Sequence, residues 1–304
     1  MGLPTFSIII PTYQSQQIQQ TISAIDCQTQ PSNIIEVLIV GQQDDLSLPD
    51  NSKFRYIRVE KNPSPARNRN VGAFMAKSEW LCFFDSDCVP SNDWFEKVIS
   101  SLGNDNIYVG AIDLLPDIPY WSWCDHLLSF GKQVNGIYKG KYLKYAATNN
   151  MVVRRNLFIQ INGFDESYTL PAGEDYDFCT KARLLGENIR FIHHAVVLHN
   201  HTRKSFKNSW NHLYLYGESS VRRRIKNNGE LTRWHKFIYL LLSIKILGEI
   251  IGLGRVLGRA IQRMSSVPNY LKYWKYLPGI FLLDIAHTKG MISHLRSLHS
   301  GTRS

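Results

Sequence analysis

Four groups of residues in this chain have the types and spacing to do chemistry. Asp85-Ser86-Asp87 follows an apolar, strand-compatible run, Leu81 to Phe84, so two carboxylates stand where a buried strand ends. An open α/β sheet binds its ligands at such strand ends, and hard oxygen donors there suit Mg²⁺ or Mn²⁺ holding a phosphate. Arg69 and Asn70 lie near the start of a helix, where a guanidinium can grip a diphosphate in bidentate fashion. Glu174-Asp175 offers a carboxylate to take a proton from a hydroxyl. His199 and His201 stand two apart at a strand end, so both imidazoles can face one side and meet a metal or a diphosphate. Each group also has a plain structural use: the aspartates as turn and helix cap, the arginine on a surface, the acids opening a helix, the histidines in a solvated loop. Their combination carries the argument.

These residues need a scaffold, and the hydrophobic pattern supplies one. Residues 6–10 read as a short buried strand stopped by Pro11, and residues 16–27 as a helix with Ile18, Ile22 and Ile25 on one face. Further strands are predicted over 34–40, 54–59, 81–84 and 107–112, with a helix from Pro65 to about Lys77 and another beginning at Ser91. Residues 118–124, rich in aromatics, read as a connection that serves as a lid, a binding wall or plain packing. Residues 145–154 read as a strand running into a helix, 163–166 as a turn, 173–185 as a helix, and 189–192 and 195–198 as two short strands. Strands alternating with helices at these spacings indicate an α/β fold with a mixed, mostly parallel sheet flanked by helices. There is no Gly-x-Gly-x-x-Gly after the first strand, so a dinucleotide fingerprint is absent.

Charge divides the chain. Residues 1–200 hold 17 Lys and Arg against 21 Asp and Glu, while residues 201–304 hold 18 against 4, a net +14. Basic residues mixed with apolar helices point to an anionic membrane surface. Long aliphatic runs between them argue against a nucleic-acid groove. Lys245, Glu249 and Arg255 interrupt the apolar stretch 237–257, and each charge costs roughly 2.5–3.5 kcal/mol at a membrane centre. The helices of this part are therefore expected to lie on a membrane face or fold back on the rest. The five cysteines form no Cys-x-x-Cys pair, and no signal peptide is read at the N-terminus, so a reduced, cytoplasmic protein is expected.

In order and spacing, the groups resemble family 2 glycosyltransferases of the GT-A fold. Ser7-Ile8-Ile9-Ile10-Pro11-Thr12-Tyr13 is similar to the family's opening strand, Arg69-Asn70-Val71-Gly72 to its Arg-Asn-x-Gly element and Asp85-Ser86-Asp87 to its Asp-x-Asp. Gly163-Phe164-Asp165-Glu166 matches its Gly-Phe-Asp-Glu turn and Gly173-Glu174-Asp175 its Glu-Asp motif. The resemblance implies a transferase domain over 1–202 and leaves 203–304 as a basic, helical extension. It implies that Asp87, with Asp85 and a histidine, His199 or His201, holds Mn²⁺ or Mg²⁺ on the donor diphosphate. Asp175, with Glu174 beside it, would be the general base; Arg69 would assist electrostatically; Pro11, Thr12 and Tyr13 would line the base and ribose pocket. One position departs from the family. Where an Asp-Asp-Gly-Ser usually follows the second strand, this chain has Gly41-Gln42-Gln43-Asp44-Asp45. Gln42 can still pair with a uracil edge, since an amide both donates and accepts. No Gln-x-x-Arg-Trp is present, so a single sugar addition is expected rather than polymer synthesis. The implied partners are a nucleotide-sugar donor, favouring UDP, a glycan or lipid-linked acceptor, and the inner face of the cell membrane. A nucleotidyltransferase and a non-catalytic membrane-binding relative are the alternatives.

Overall fold

The computed structural model describes residues 4–28, 31–61, 63–168, 173–200, 203–226, 239, 241, 245–266 and 268–299. The chain divides into two compact units, Met1–Leu115 with Lys132–Asn200, and Pro116–Gly131 with His201–Ser304.

The first unit is built on a nine-stranded sheet. Its strands are β1 (Phe6–Tyr13), β2 (Ile34–Gln42), β3 (Phe54–Arg58), β4 (Trp80–Phe83), β5 (Cys88–Pro90), β6 (Ile107–Leu114), β7 (Tyr142–Leu143), β8 (Met151–Arg154) and β9 (Ile189–His199). They lie in the order β3-β2-β1-β4-β8-β6-β9-β5, with β7 paired to β9. The longer ladders, β1 with β2 and β6 with β9, are parallel; the short ones made by β5, β7 and β8 are antiparallel. Helices α1 (Ile18–Asp26), α2 (Pro65–Met75), α3 (Trp94–Ser101), α5 (Arg155–Gln160) and α6 (Glu174–Leu184) also belong to it. Two apolar clusters result. One contains Ile9, Leu38, Phe83, Phe158, Phe164 and Phe178, the other Ile8, Ile22, Phe84, Trp94 and Phe95. Ile8 and Ile9 fall in different clusters because successive side chains of a strand point to opposite faces.

Several boundaries differ from the sequence reading. β1 runs through Pro11 instead of stopping there, because its β4 ladder ends at Ile9 and leaves no partner on that side for an N–H. Residues 189–198 form one strand, whose register against β6 shifts between Gly110 and Ala111. Asn150 staples this irregularity, donating to the carbonyls of Ala111 (2.7 Å) and Ala195 (3.0 Å) while accepting from Trp94 Nε1 (2.9 Å). The expected strand over 145–154 is confined to β8, preceded by a 3₁₀ turn. β5 was absent from the reading: three residues carry no periodicity of their own, and pairing with β9 makes them a strand.

In the second unit, residues expected to form a loose aromatic connection are helix α4 (Tyr120–Ser129). It packs with α7 (Phe206–Lys226), a 3₁₀ segment (Pro268–Tyr276) and α9 (Leu277–His299), and the last two in turn pack with α8 (Lys245–Ser266). Gly217 on α7 and Gly290 on α9 let two helix backbones meet: a Cβ added at either would stand about 2 Å from a carbonyl oxygen of the other helix. The first part of the stretch expected to be apolar, up to 244, lies mostly outside the described residues. Among the described residues no helix is long and apolar enough to cross a membrane.

Candidate active site

The ends of β1, β2 and β4, the start of α2 and the start of α6 carry the chemical groups. α2 begins cleanly: Pro65 occupies the first turn and the Ser64 side chain accepts from the Arg67 N–H. The helix runs close to β1, since a Cβ at Gly72 would stand 2.8 Å from Ile9. That approach aims Arg69 inward. Its side chain is 4% exposed and forms two ion pairs, Nη2 with Asp85 Oδ1 at 2.6 Å and Nη1 with Glu174 Oε1 at 2.8 Å. Burial works against the guanidinium charge, but Asp85 and Glu174 more than restore it, and Arg69 is held above its ordinary range. One buried arginine thus ties the Asp-x-Asp turn to the helix bearing Glu174 and Asp175. It faces carboxylates where the sequence reading had it grip a diphosphate.

Asn70 is turned elsewhere. Its amide donates to the Phe164 carbonyl (2.8 Å) and to Glu166 Oε1 (3.0 Å), and its oxygen accepts from the Phe164 N–H (2.8 Å). Gly163 sits at φ +66°, and a Cβ there would stand 2.6 Å from Asn70 Oδ1. The Arg-Asn-x-Gly element is therefore three packing decisions on one helix: Arg69 toward the acids, Asn70 toward the Gly-Phe-Asp-Glu turn, Gly72 against β1. Asn70, expected to touch the donor, spends its side chain on the turn because both ends of its amide are matched by the backbone N–H and C=O of one residue, Phe164.

Glu174 and Asp175 open α6 after Gly173, which holds φ +113°. Their position in the first turn places carboxylates against the positive end of the helix dipole. Burial, followed by the charge on Asp175, pushes Glu174 up to about 7, with Arg69 opposing. Asp175 is half-buried, and its Oδ1 accepts from the Tyr176 N–H at 2.7 Å.

The β5–β9 ladder sets Cys88 opposite His199, and the Asn200 N–H donates to the Asp87 carbonyl at 2.8 Å. His199 Nε2 consequently lies 3.1 Å from Asp87 Oδ2. Donor atoms of Asp87, Cys88 and His199 all fall within 4.8 Å of one another. Burial, then the carboxylates of Asp87 and Asp85, push the Cys88 thiol well up, and soft sulfur is a poor match for Mg²⁺ or Mn²⁺. A carboxylate with an imidazole is the donor pair that fits a divalent cation here. Asp85 gives an oxygen to Arg69, and His201 lies outside the described residues.

At the ends of β1 and β2, Tyr13 is 67% exposed while Pro11 and Thr12 are buried. Of the three residues expected to line a base pocket, Tyr13 alone presents its side chain to solvent. Gln42 donates to the Val59 carbonyl at 3.1 Å. Its neighbour Gln43 does structural work that the sequence reading missed: Oε1 accepts from Thr12 Oγ1 and from the Ser15 N–H, both at 2.8 Å. Asn68 adds a bond to the Thr12 carbonyl (3.3 Å), and Gly41, at φ +140°, has its Cα side against the same carbonyl. Gly41 beside two glutamines was the available signal for a special turn. A groove of about 430 Å³ lies beside Asn70, Phe74, Phe164, Glu166 and Lys181. None of Asp85, Asp87, Glu174 and Asp175 lines it, so the chemistry lies outside it.

Residues 7–161, just over half of the chain, match the profile of Glycosyl transferase family 2. The chain belongs to that family. Glycosyltransferase AglE of Haloferax volcanii is 24% identical over 208 residues, covering 65% of this chain and 67% of AglE. Among solved structures, that of GalNAc-T7 with UDP, GalNAc and Mn²⁺ superposes with a TM-score of 0.52 at 17% identity, over 72% of this chain and 51% of that one. S. aureus TarS 1-349 in complex with UDP superposes with a TM-score of 0.51 at 15% identity, over 98% and 92%. This chain thus spans about half of the GalNAc-T7 chain. The likeness fixes the fold of this glycosyltransferase as GT-A: a mixed α/β sheet, mostly parallel and flanked by helices.

Proposed function

We propose that this glycosyltransferase moves one sugar from a UDP-sugar to an acceptor hydroxyl with inversion, in polysaccharide or glycolipid assembly at the inner face of the cell membrane. The observation that carries the reading is Arg69, buried and paired with both Asp85 and Glu174. Through it the strand end bearing Asp87 and the helix start bearing Asp175 are held as one acidic site. The UDP and Mn²⁺ of the GalNAc-T7 structure and the UDP of the TarS structure support the donor class and a divalent ion.

In this mechanism Asp175 takes the acceptor proton as the hydroxyl oxygen bonds to the anomeric carbon. The bond from that carbon to the diphosphate oxygen breaks with its electron pair, UDP departs, and attack from the opposite face inverts the centre. Asp87 and His199 would hold Mn²⁺ or Mg²⁺, which supplies charge screening for the diphosphate. Arg69 acts as a positioning residue, fixing Asp85 and Glu174 and adding a positive field. Tyr13 offers an exposed ring to the nucleoside, and Gln42 an amide oxygen to the base edge. Thermal shift with a panel of nucleotide sugars, with and without Mn²⁺, tests the donor class, because a ligand that binds the folded state raises its apparent stability. Asp175→Asn should keep the Mn²⁺-dependent shift with UDP and lose transfer by about 10²–10⁴-fold. Undiminished turnover in that variant would remove Asp175 from the base role.

A further inference from the structure

Helix α8 is turned inside out relative to an ordinary surface helix. Its solvent side carries Ile250 (65% exposed), Leu253 (51%), Leu257 (49%) and Ile261 (67%). Gly254 and Gly258 lie between them and face open space. Among the described exposed positions of 250–262, Gln262 is the single polar side chain. These positions recur at three- and four-residue spacing, so they form one continuous apolar stripe along the helix. The described charges, Arg255 and Arg259, point the other way. Arg255 donates to Thr288 Oγ1 on α9 at 2.6 Å, and Arg259 pairs with Asp284 at 2.7 Å, where Asp284 is 1% exposed. An aqueous helix would reverse this arrangement, because apolar area in water is unfavourable by about 25 cal/mol per Å².

We infer that this stripe is a seat for an anionic lipid surface, with α8 lying in the headgroup boundary. The inference rests on the membrane-surface reading above and names the face and its residues. Three observations choose the occupant. Residues 201–304 carry a net +14, which complements anionic headgroups and would repel a second copy docked through the same segment. Trp274 is 70% exposed between exposed Lys272 and Lys275, in the 3₁₀ segment that contacts both α8 and α9. An amphipathic indole beside lysines is the composition found where protein meets headgroups. The groove between α8 and α9 holds only about 130 Å³, below the roughly 300 Å³ that small-molecule sites begin at, so a surface fits better than a soluble ligand. No described helix is long and apolar enough to cross, which is consistent with a helix lying in the interface.

Co-sedimentation of the full chain with vesicles tests this, comparing phosphatidylcholine alone with phosphatidylcholine containing phosphatidylglycerol. The expected result is binding to the phosphatidylglycerol vesicles that Leu257→Asp with Ile261→Asp weakens by at least about tenfold. Lys272→Glu with Lys275→Glu should weaken it most at low salt. UDP with Mn²⁺ should shift the melting of all these variants as it does the parent, which shows that they fold. Parent protein that keeps the UDP shift but stays in the supernatant overturns the lipid seat and leaves the transferase reading standing. A dimer in sedimentation equilibrium that Leu257→Asp dissolves, without vesicle binding, overturns it in favour of a second copy. Vesicle binding that depends on Leu257 and Ile261, without any UDP shift, upholds the seat while the donor reading fails.

Discussion

The two units of this glycosyltransferase place polarity in opposite ways. In the sheet unit the interior is aromatic and aliphatic on both faces of the sheet; Glu36 and Asp177 are buried beside Arg55 and Lys181, and a further cluster of buried charge stands at the strand and helix ends where Arg69 meets Asp85 and Glu174. In the helical unit, buried charge runs through the middle of the packing. Asp125, fully buried, accepts from Ser129, Arg203 and His212, and Asp284 pairs with Arg259, while isoleucines and leucines of α8 face outward. Although burial alone would raise the Asp125 carboxyl, His212 and Arg203 hold it below the usual range. The difference shows two solutions to one constraint, that buried charge must be paired. The sheet unit gathers one set of pairs, around Arg69, into a site; the helical unit spreads its pairs between helices and leaves its apolar surface for something outside.

Breaking one buried pair in each unit should separate the two roles. Arg69→Met leaves Glu174 and Asp85 without their counter-charge and should cost about 3–5 kcal/mol in urea denaturation. It should also abolish the UDP-dependent thermal shift while vesicle binding persists. Asp125→Ala strips the acceptor from Arg203 and His212 and should cost about 2–3 kcal/mol, this time with the UDP shift retained; loss of UDP binding there would erase the contrast between the units. Asn70→Ala unpins the Gly-Phe-Asp-Glu turn, for about 1–3 kcal/mol, and should lower kcat more than donor affinity, read from steady-state kinetics. The smallest effect concerns pH. With Glu174 at about 7 against an ordinary 4.5, the folded state binds that proton more tightly than the unfolded chain does. Stability should therefore fall as pH rises from about 4.5 to about 7 and level off above. Glu174→Gln should flatten that slope in a series of melts; an unchanged slope would assign it to another group.

Much of the catalytic scaffold could be read from local pattern. Ile8, Ile9 and Ile10, the helix face of Ile18, Ile22 and Ile25, and the Ser64-Pro65 cap all report on neighbours within a few positions, where strand and helix periods are written directly. The helix at 120–129 was missed because its aromatics are distributed for packing rather than along one clean stripe. β5 was missed because three residues hold no period, and the single strand 189–199 was split because His193 and His194 sit at its register shift. Among site residues, the acids were visible as motifs, but the work of Gln43, Asn68 and Asn70 was not. Their partners lie 28 to 96 positions away in the chain.

By itself, then, the order of residues determined the alternation of strands and helices, the family, and which carboxylates were available, since these depend on spacing along the chain. Which of them meet was decided by tertiary structure alone. Arg69 turns from an expected diphosphate clamp into a brace because Gly72 lets α2 press on β1, and His199 reaches Asp87, 112 positions away, because an antiparallel ladder sets it opposite Cys88. The outward face of α8 is decided the same way: its sequence is amphipathic in either orientation, and only the pairing of Arg255 and Arg259 with α9 fixes which side is left to the surroundings.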